Sequence, residues 1–132
     1  MSLMSRRLLV AGALLMALAT VIGALAAHVL KPRLPLGRFE VLQTAVHYQF
    51  FHALGLLALG LLADRQPGRA LHAAGLLVLA GVLLFSGSLY AIVAGAPAFI
   101  GVVTPLGGLC LIGGWLCAAW ALASRSVAKP LA

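Results

Sequence analysis

Four apolar stretches, each of roughly 20 residues or more and free of Asp, Glu, Lys and Arg, dominate the pattern of this sequence. About 20 apolar residues in a helix span the ~30 Å hydrocarbon core of a bilayer. Polar or helix-breaking segments separate the stretches at residues 31–38, 64–69 and 95–97. The pattern therefore predicts four membrane-spanning helices, at about residues 8–30, 39–62, 71–93 and 104–123.

Composition supports the same fold class. Of the 132 residues, 64% are hydrophobic and only 8% are charged, whereas soluble domains are about half apolar and a quarter charged. So few charged side chains cannot cover a water-facing globule of this size. We therefore expect an all-α, four-transmembrane-helix bundle that forms a single membrane domain over residues 1–132.

The first apolar stretch allows a second interpretation. Arg6 and Arg7 precede it, and the sequence Ala24-Leu25-Ala26 near its end is typical of a signal-peptide cleavage site. The apolar run over residues 8–27 is longer, however, than the roughly 7 to 15 residues of an ordinary signal peptide. A retained helix is favoured, and cleavage stays open.

The basic residues indicate a membrane orientation. They flank the apolar stretches and form no continuous patch, so the lipid bilayer rather than nucleic acid is the expected partner. A second membrane protein or another copy of this chain is a further candidate. The positive-inside rule predicts an inner (plasma) membrane protein with both termini in the cytoplasm. Six basic residues lie on the side of the termini, against three on the other: Arg6, Arg7, Arg65, Arg69, Arg125 and Lys129, against Lys31, Arg33 and Arg38.

The second predicted helix carries polar side chains at positions that should lie in hydrocarbon. Residues three and four apart share a helix face, so Thr44, Tyr48 and His52 form one stripe. Gln49 lies beside this stripe and Gly55 continues it. His52 falls near the middle of the membrane, where polar side chains rarely face lipid. We therefore expect the stripe to face the interior of the bundle.

The other helices carry polar residues at a similar depth, in the half of the membrane away from both termini. Thr104 and Pro105 are also typical of a helix start, with the threonine hydroxyl as the cap. We expect Tyr48, His52, Ser86 and Tyr90 to point inward. At least two contacting pairs are expected among His28, Tyr48, His52, Ser86, Tyr90 and Thr104. The predicted outer-half network comprises His28, Thr44, Tyr48, Gln49, His52, Ser86, Ser88, Tyr90 and Thr104.

Two roles are open for such a network. Polar contacts between membrane helices often serve only to hold the helices together, at an average of about 0.6 kcal/mol each. The alternative is a site that binds or conducts a small solute, a proton or a lipid.

The fourth predicted helix carries a face of small side chains. Such faces let two helix backbones approach closely in lipid, and Trp115 and Trp120 lie off this one. Whether it packs within the chain or against another copy is open. The small-residue seam comprises Gly107, Cys110, Gly114, Cys117 and Ala121.

No catalytic pattern is present in the sequence. Glu40 and Asp64 are predicted at opposite membrane faces, so they cannot form a carboxylate pair. The histidines show no H-E-x-x-H pattern, and residues 86–88 lack the flanks of a nucleophile elbow. We therefore expect no enzymatic activity, no metal and no cofactor. A haem protein or membrane enzyme that uses His28 and His52 is the weakest alternative.

Four motifs lie in order along nearly the whole chain: G-A-L-A-A-H at 23–28, T-A-V-H-Y-Q-F-F-H-A-L at 44–54, F-S-G-S-L-Y at 85–90, and T-P-L-G-G at 104–108 with G-G-W at 113–115. They resemble the motifs of the small YgdD/YwdK-like inner-membrane proteins. That family is a domain-of-unknown-function family with a eukaryotic small transmembrane relative.

The resemblance implies a four-helix integral membrane protein whose first helix is retained, and it brings no established activity, cofactor or substrate. Sequence reasoning therefore predicts a small multi-pass inner-membrane protein. Its expected role is that of a non-enzymatic accessory or scaffold protein. Binding or conduction of a small solute, proton or lipid through the polar network is the alternative.

Overall fold

A computed structural model describes residues 1–66 and 68–125, and it confirms the all-α fold with four membrane-spanning helices. The helices are α1 (Leu3–Leu25), α2 (Leu36–Arg65), α3 (Arg69–Val93) and α4 (Val103–Arg125). A π-helical turn, Ala26–Leu30, extends α1. Each helix is long and apolar enough to cross a bilayer. Lys129, one of the six basic residues on the side of the termini, lies outside the described residues.

The helices pack in chain order rather than as a closed square. The extensive contacts join α1 to α2, α2 to α3, and α3 to α4, and α1 also touches α3. Within the described residues, α2 and α4 share no extensive backbone contact. The molecule therefore has a lateral gap between α2 and α4 on one side of α3.

The two halves of the bundle along its length are packed with different kinds of side chains. The half that contains the α2–α3 connection is filled by aliphatic side chains, among them Leu8, Leu56, Leu59 and Val78, each 1% exposed or less. The other half, which contains the α1–α2 and α3–α4 connections, is here called the distal half. Most of the buried polar side chains lie in the middle and distal parts of the bundle, among them Gln49, Ser86 and Ser88.

The small-residue seam of α4 packs against α3 of the same chain. A Cβ atom added to Gly107 would collide with the backbone of Phe85, and one added to Gly114 would lie 2.7 Å from Val78 Cγ2. Cys117 Sγ donates to the Ala70 carbonyl at 3.4 Å. Ala121 is buried and Cys110 is half-buried. The close approach of α3 and α4 therefore depends on small side chains in α4.

The connection from α3 to α4 consists of a glycine-ended helix terminus and a 3-10 turn. Gly95 adopts a φ of 98° after the end of α3, and the Ala96 N–H returns to the Ala91 carbonyl at 2.9 Å. This is a Schellman ending, in which glycine removes the steric penalty of a left-handed residue. A 3-10 turn, Ala98–Val102, then leads into α4 at Val103. Thr104 therefore lies inside the helix, so the expectation that it is the N-cap is wrong.

Candidate functional site

Gln49 is a buried polar residue whose side chain bonds to two other helices. Its side chain, on α2, is 1% exposed. The amide Nε2 donates to the Leu15 carbonyl of α1 at 2.8 Å, and Oε1 accepts from the Tyr90 hydroxyl of α3 at 2.6 Å. Because the Leu15 carbonyl can only accept, the NH₂ group must face α1. One side chain thus ties three helices together.

Ser86 adds a second bond between α2 and α3 beside Gln49. Its buried hydroxyl donates to the Ala45 carbonyl at 2.8 Å, one helical turn before Gln49. The Ala45 carbonyl keeps a second lone pair for the helix, so this contact need not disturb α2. We call Gln49, Ser86 and Tyr90 the Gln49 junction. The junction holds α1, α2 and α3 in register.

A separate polar contact joins α3 to α4. The hydroxyl oxygens of Ser88 and Thr104 are 2.6 Å apart. Ser88 also donates to the Phe85 carbonyl at 2.9 Å, which uses its only proton, so Thr104 is the donor to Ser88. This pair lies apart from the Gln49 junction. The predicted single network is therefore at least two separate sets of bonds.

The remaining members of the predicted network lie outside these sets. His28 is exposed on the π-helical turn. Thr44 is also exposed, and its hydroxyl bonds to the Glu40 carbonyl of its own helix at 3.0 Å. Tyr48 is 42% exposed and His52 is half-buried. Thr44 points away from the bundle, so the expectation that the whole stripe faces the interior is wrong, and Gln49 occupies the inward-facing position of α2.

Tyr48 and His52 belong to an aromatic cluster that fills the bottom of the gap between α2 and α4. The ring centroid of Tyr48 lies 4.3 Å from that of Phe85 and 5.7 Å from that of His52. The Trp115 ring of α4 lies 6.2 Å from His52. We call this depression of about 420 Å³ the aromatic groove. It is lined by Tyr48, His52, Phe85, Gly108, Leu111, Ile112, Trp115 and Leu116.

His52 has one satisfied ring nitrogen. Nδ1 lies 2.7 Å from the Tyr48 carbonyl of its own helix. A carbonyl oxygen only accepts, so Nδ1 carries the proton and Nε2 of the neutral ring is an acceptor. The bond lies within α2, so it adds no tie between helices.

Sequence reasoning did not anticipate the roles of Phe85 and Trp115. One signal was available: Gly55, in the middle of a span, marks a place where another group approaches the backbone. A Cβ added to Gly55 would lie 2.6 Å from Trp115 Cζ2. The acceptor carbonyls of Leu15 and Ala45 carry no sequence signal. Among the described residues, no three His, Cys, Asp or Glu side chains come together as a metal site.

The fold and its internally bonded polar groups define the class as a multi-pass α-helical membrane protein. Residues 22–108 match the family model described as "Protein of unknown function (DUF423)". The chain is 39% identical over 109 residues to the UPF0382 membrane protein YwdK of Bacillus subtilis, covering 82% of this chain and 89% of that one. It therefore belongs to the DUF423/UPF0382 membrane protein family, which confirms the resemblance in its motifs.

Two further relatives agree. The UPF0382 membrane protein of Haemophilus influenzae is 38% identical over 101 residues, covering 75% of this chain and 79% of that protein. The UPF0382 inner membrane protein YgdD of Escherichia coli is 33% identical over 94 residues, with coverages of 71% and 72%. No solved structure matches the chain. With four spans, the protein is a multi-pass inner-membrane protein.

Proposed function

We propose that the protein is a non-enzymatic membrane component, an accessory or scaffold protein whose Gln49 junction fixes the packing of its helices. The observation that carries this proposal is that both ends of the Gln49 amide bond to other helices. Among the described residues, no fully buried side-chain nitrogen or oxygen lacks a partner. A junction in which each buried polar atom has a partner inside the protein is suited to holding helices rather than to exchanging a ligand.

The charge distribution supports an orientation with both termini in the cytoplasm. Six basic residues on the terminal side against three on the other favour it under the positive-inside rule. The distal half would then face the periplasm. Fusion of a reporter after residue 132 tests the orientation. Activity of a reporter that works only in the cytoplasm is expected, and activity of one that works only in the periplasm contradicts it.

An accessory role predicts a stable partner. Isolation of the tagged protein from native membranes in mild detergent should recover one other membrane protein in a fixed ratio. The Gln49→Leu variant should recover less of that protein per folded molecule, because α1 loses the bond that fixes its position against α2 in the middle of the membrane. Recovery of the chain alone from native membranes, under conditions that keep it folded, would contradict the accessory role.

Conduction of a proton or small solute through the junction is the alternative, and reconstitution separates the two. Vesicles that contain the protein and a trapped pH dye should respond to an imposed pH gradient as empty vesicles do. A proton flux that is present in the natural protein and lost in folded Gln49→Leu would replace the scaffold proposal with conduction.

A further inference from the structure

The aromatic groove has the size and position of a binding site that opens to the bilayer. It lies between α2 and α4, where the two helices do not pack together, and Phe85 of α3 contributes to its lining. Its volume of about 420 Å³ exceeds the ~150 Å³ that encloses benzene. Ligand pockets in proteins commonly range over about 300 to 1,000 Å³. The groove can therefore hold an aromatic ring together with part of an apolar chain.

Among the described residues that line the groove, Tyr48 and His52 carry polar side chains, and His52 supplies an imidazole acceptor. His52 Nδ1 is engaged with the Tyr48 carbonyl, so Nε2 of the neutral ring holds the free lone pair. Among residues 1–66 and 68–125, no donor reaches Nε2. A polar atom in hydrocarbon without a partner is costly. An occupant that supplies a donor would remove this cost.

The depth of His52 restricts the class of donor. His52 lies about 24 Å from the start of α2, a helix about 45 Å long at 1.5 Å per residue. This position is near the middle of the span, about 15 Å from either membrane interface. Phospholipid and fatty-acid head groups stay at the interface. The donor must therefore belong to a molecule that dissolves in the hydrocarbon.

The lining favours a flat ring. Tyr48 and Phe85 are stacked, and the Trp115 indole contributes a third aromatic surface. Aromatic rings prefer stacked or tilted arrangements with one another. The indole lies against α2 because Gly55 has no side chain. Ile112 and Leu116 extend the lining along α4 with aliphatic surface, which is suited to an alkyl chain.

We propose that the aromatic groove binds a membrane-dissolved hydroxylated aromatic molecule, a phenol- or quinol-type ring with an apolar tail. The ring lies among Tyr48, Phe85 and Trp115, and its hydroxyl donates to His52 Nε2. The tail follows Ile112 and Leu116 along α4. This inference does not depend on the scaffold role of the Gln49 junction, which lies on other faces of α2 and α3.

The two tryptophans of the chain provide a reporter and its matched control. Trp115 lines the groove, whereas Trp120 is 66% exposed on the outside of α4. Trp120→Phe leaves only the groove tryptophan, and Trp115→Phe leaves only the outer one. The probe is a brominated alkylphenol, which quenches tryptophan on contact. Its methyl ether has the same ring and tail but no donor.

The proposal predicts saturable quenching of Trp115 by the phenol in reconstituted Trp120→Phe protein. The ether should bind about tenfold more weakly, because it leaves the His52 acceptor unpaired. Quenching of Trp120 in the Trp115→Phe protein should rise linearly for both probes, as it reports only partition into the bilayer. Equal, linear quenching of Trp115 by both probes would overturn the proposal. This test uses a protein in which no groove residue is substituted.

Two further substitutions in the groove, each added to the Trp120→Phe protein, test the assigned contacts separately. His52→Leu should abolish the preference for the phenol over the ether. Gly108→Leu should abolish saturable binding of both, because a Cβ added there has only Phe85 Cδ2 nearby, at 3.9 Å, and a larger side chain fills the groove. Gly113→Leu is the matched control, since a Cβ there meets nothing within 4 Å. A phenol preference that survives in His52→Leu, or binding that survives in Gly108→Leu, would contradict the site.

Discussion

Gln49 and Tyr48 are neighbours on α2, yet their polar side chains are accommodated in hydrocarbon in opposite ways. Gln49 is 1% exposed and bonds to two other helices, whereas Tyr48 is 42% exposed and stacks in an open groove. Its neighbour in that groove, His52, bonds only to the backbone of α2. A bond between helices therefore specifies packing, whereas a bond within one helix leaves the side chain available for a ligand.

The sides of α4 show a related contrast. Toward α3, glycines bring the backbones together so closely that a Cβ at Gly107 would meet the Phe85 backbone. Toward α2, the Trp115 indole fills part of a gap that the backbones leave open. The first side is expected to tolerate little change, and the second should tolerate substitution at a small cost in stability.

The largest expected effect is on the closed side of α4. Gly107→Val should lower the free energy of unfolding in detergent by about 3 kcal/mol, because the new side chain collides with the backbone of Phe85. Gly113→Val on the same helix is the control and should change it by less than about 0.5 kcal/mol, since its Cβ meets open space. Equal effects of the two substitutions would show that α3 and α4 are not in this close contact.

The next effect concerns the Gln49 junction. Gln49→Leu should cost about 1.5 kcal/mol, because the Tyr90 hydroxyl loses its partner and the Leu15 carbonyl of α1 loses its bond to α2. Gln43→Leu, at an exposed position of the same helix, should change the stability by less than about 0.5 kcal/mol. Denaturant titration of both variants in one detergent checks the difference. A Gln49→Leu protein as stable as the natural one would remove the junction from the account.

The Ser88–Thr104 pair should contribute less. Ser88→Ala removes one hydroxyl pair between α3 and α4 and should cost about 0.6 kcal/mol. Because the two oxygens bond to each other, Thr104→Val should have a similar effect, and the two substitutions together should cost less than their sum. Strict additivity would indicate that the hydroxyls do not interact.

The smallest expected effect is at His52. His52→Leu should change the free energy of unfolding by less than about 0.5 kcal/mol, because its bond lies within α2 and its ring lies in the open groove. The measurement is the same titration used for Gln49→Leu. A loss as large as that of Gln49→Leu would mean that the groove is part of the packing core, and the contrast between the two faces of α2 would fail.

Sequence reasoning could predict the four helices because long apolar runs and the breaks between them are direct consequences of bilayer thickness. It could not decide which face of α2 points inward. Every face of α2 carries apolar residues. Helical periodicity therefore shows that Thr44, Tyr48 and His52 share one face, but it does not show whether that face points inward. The inward position of Gln49 depends on the Leu15 carbonyl and on Tyr90, which lie far away in the chain. Only the packing of three helices reveals those partners.

The start of α4 also shows what sequence reasoning could and could not predict. The Thr104-Pro105 pair indicates the helix start to within a residue, because proline fits the first turn. A 3-10 turn precedes the helix, which begins at Val103. The Thr104 hydroxyl therefore does not cap the helix and bonds to Ser88 instead. Local signals thus place the helix, and tertiary contacts decide what its first hydroxyl bonds to.

A double-mutant cycle between Gln49 and Tyr90 measures whether the two side chains of the Gln49 junction interact. The free energy of unfolding is measured for the natural protein, for Gln49→Leu, for Tyr90→Phe and for the double variant, all in the same detergent. We expect a coupling of about 1 kcal/mol, because either substitution removes the same hydrogen bond between α2 and α3. Single effects that add to within about 0.3 kcal/mol would show that the two side chains do not interact, and would contradict the Gln49 junction.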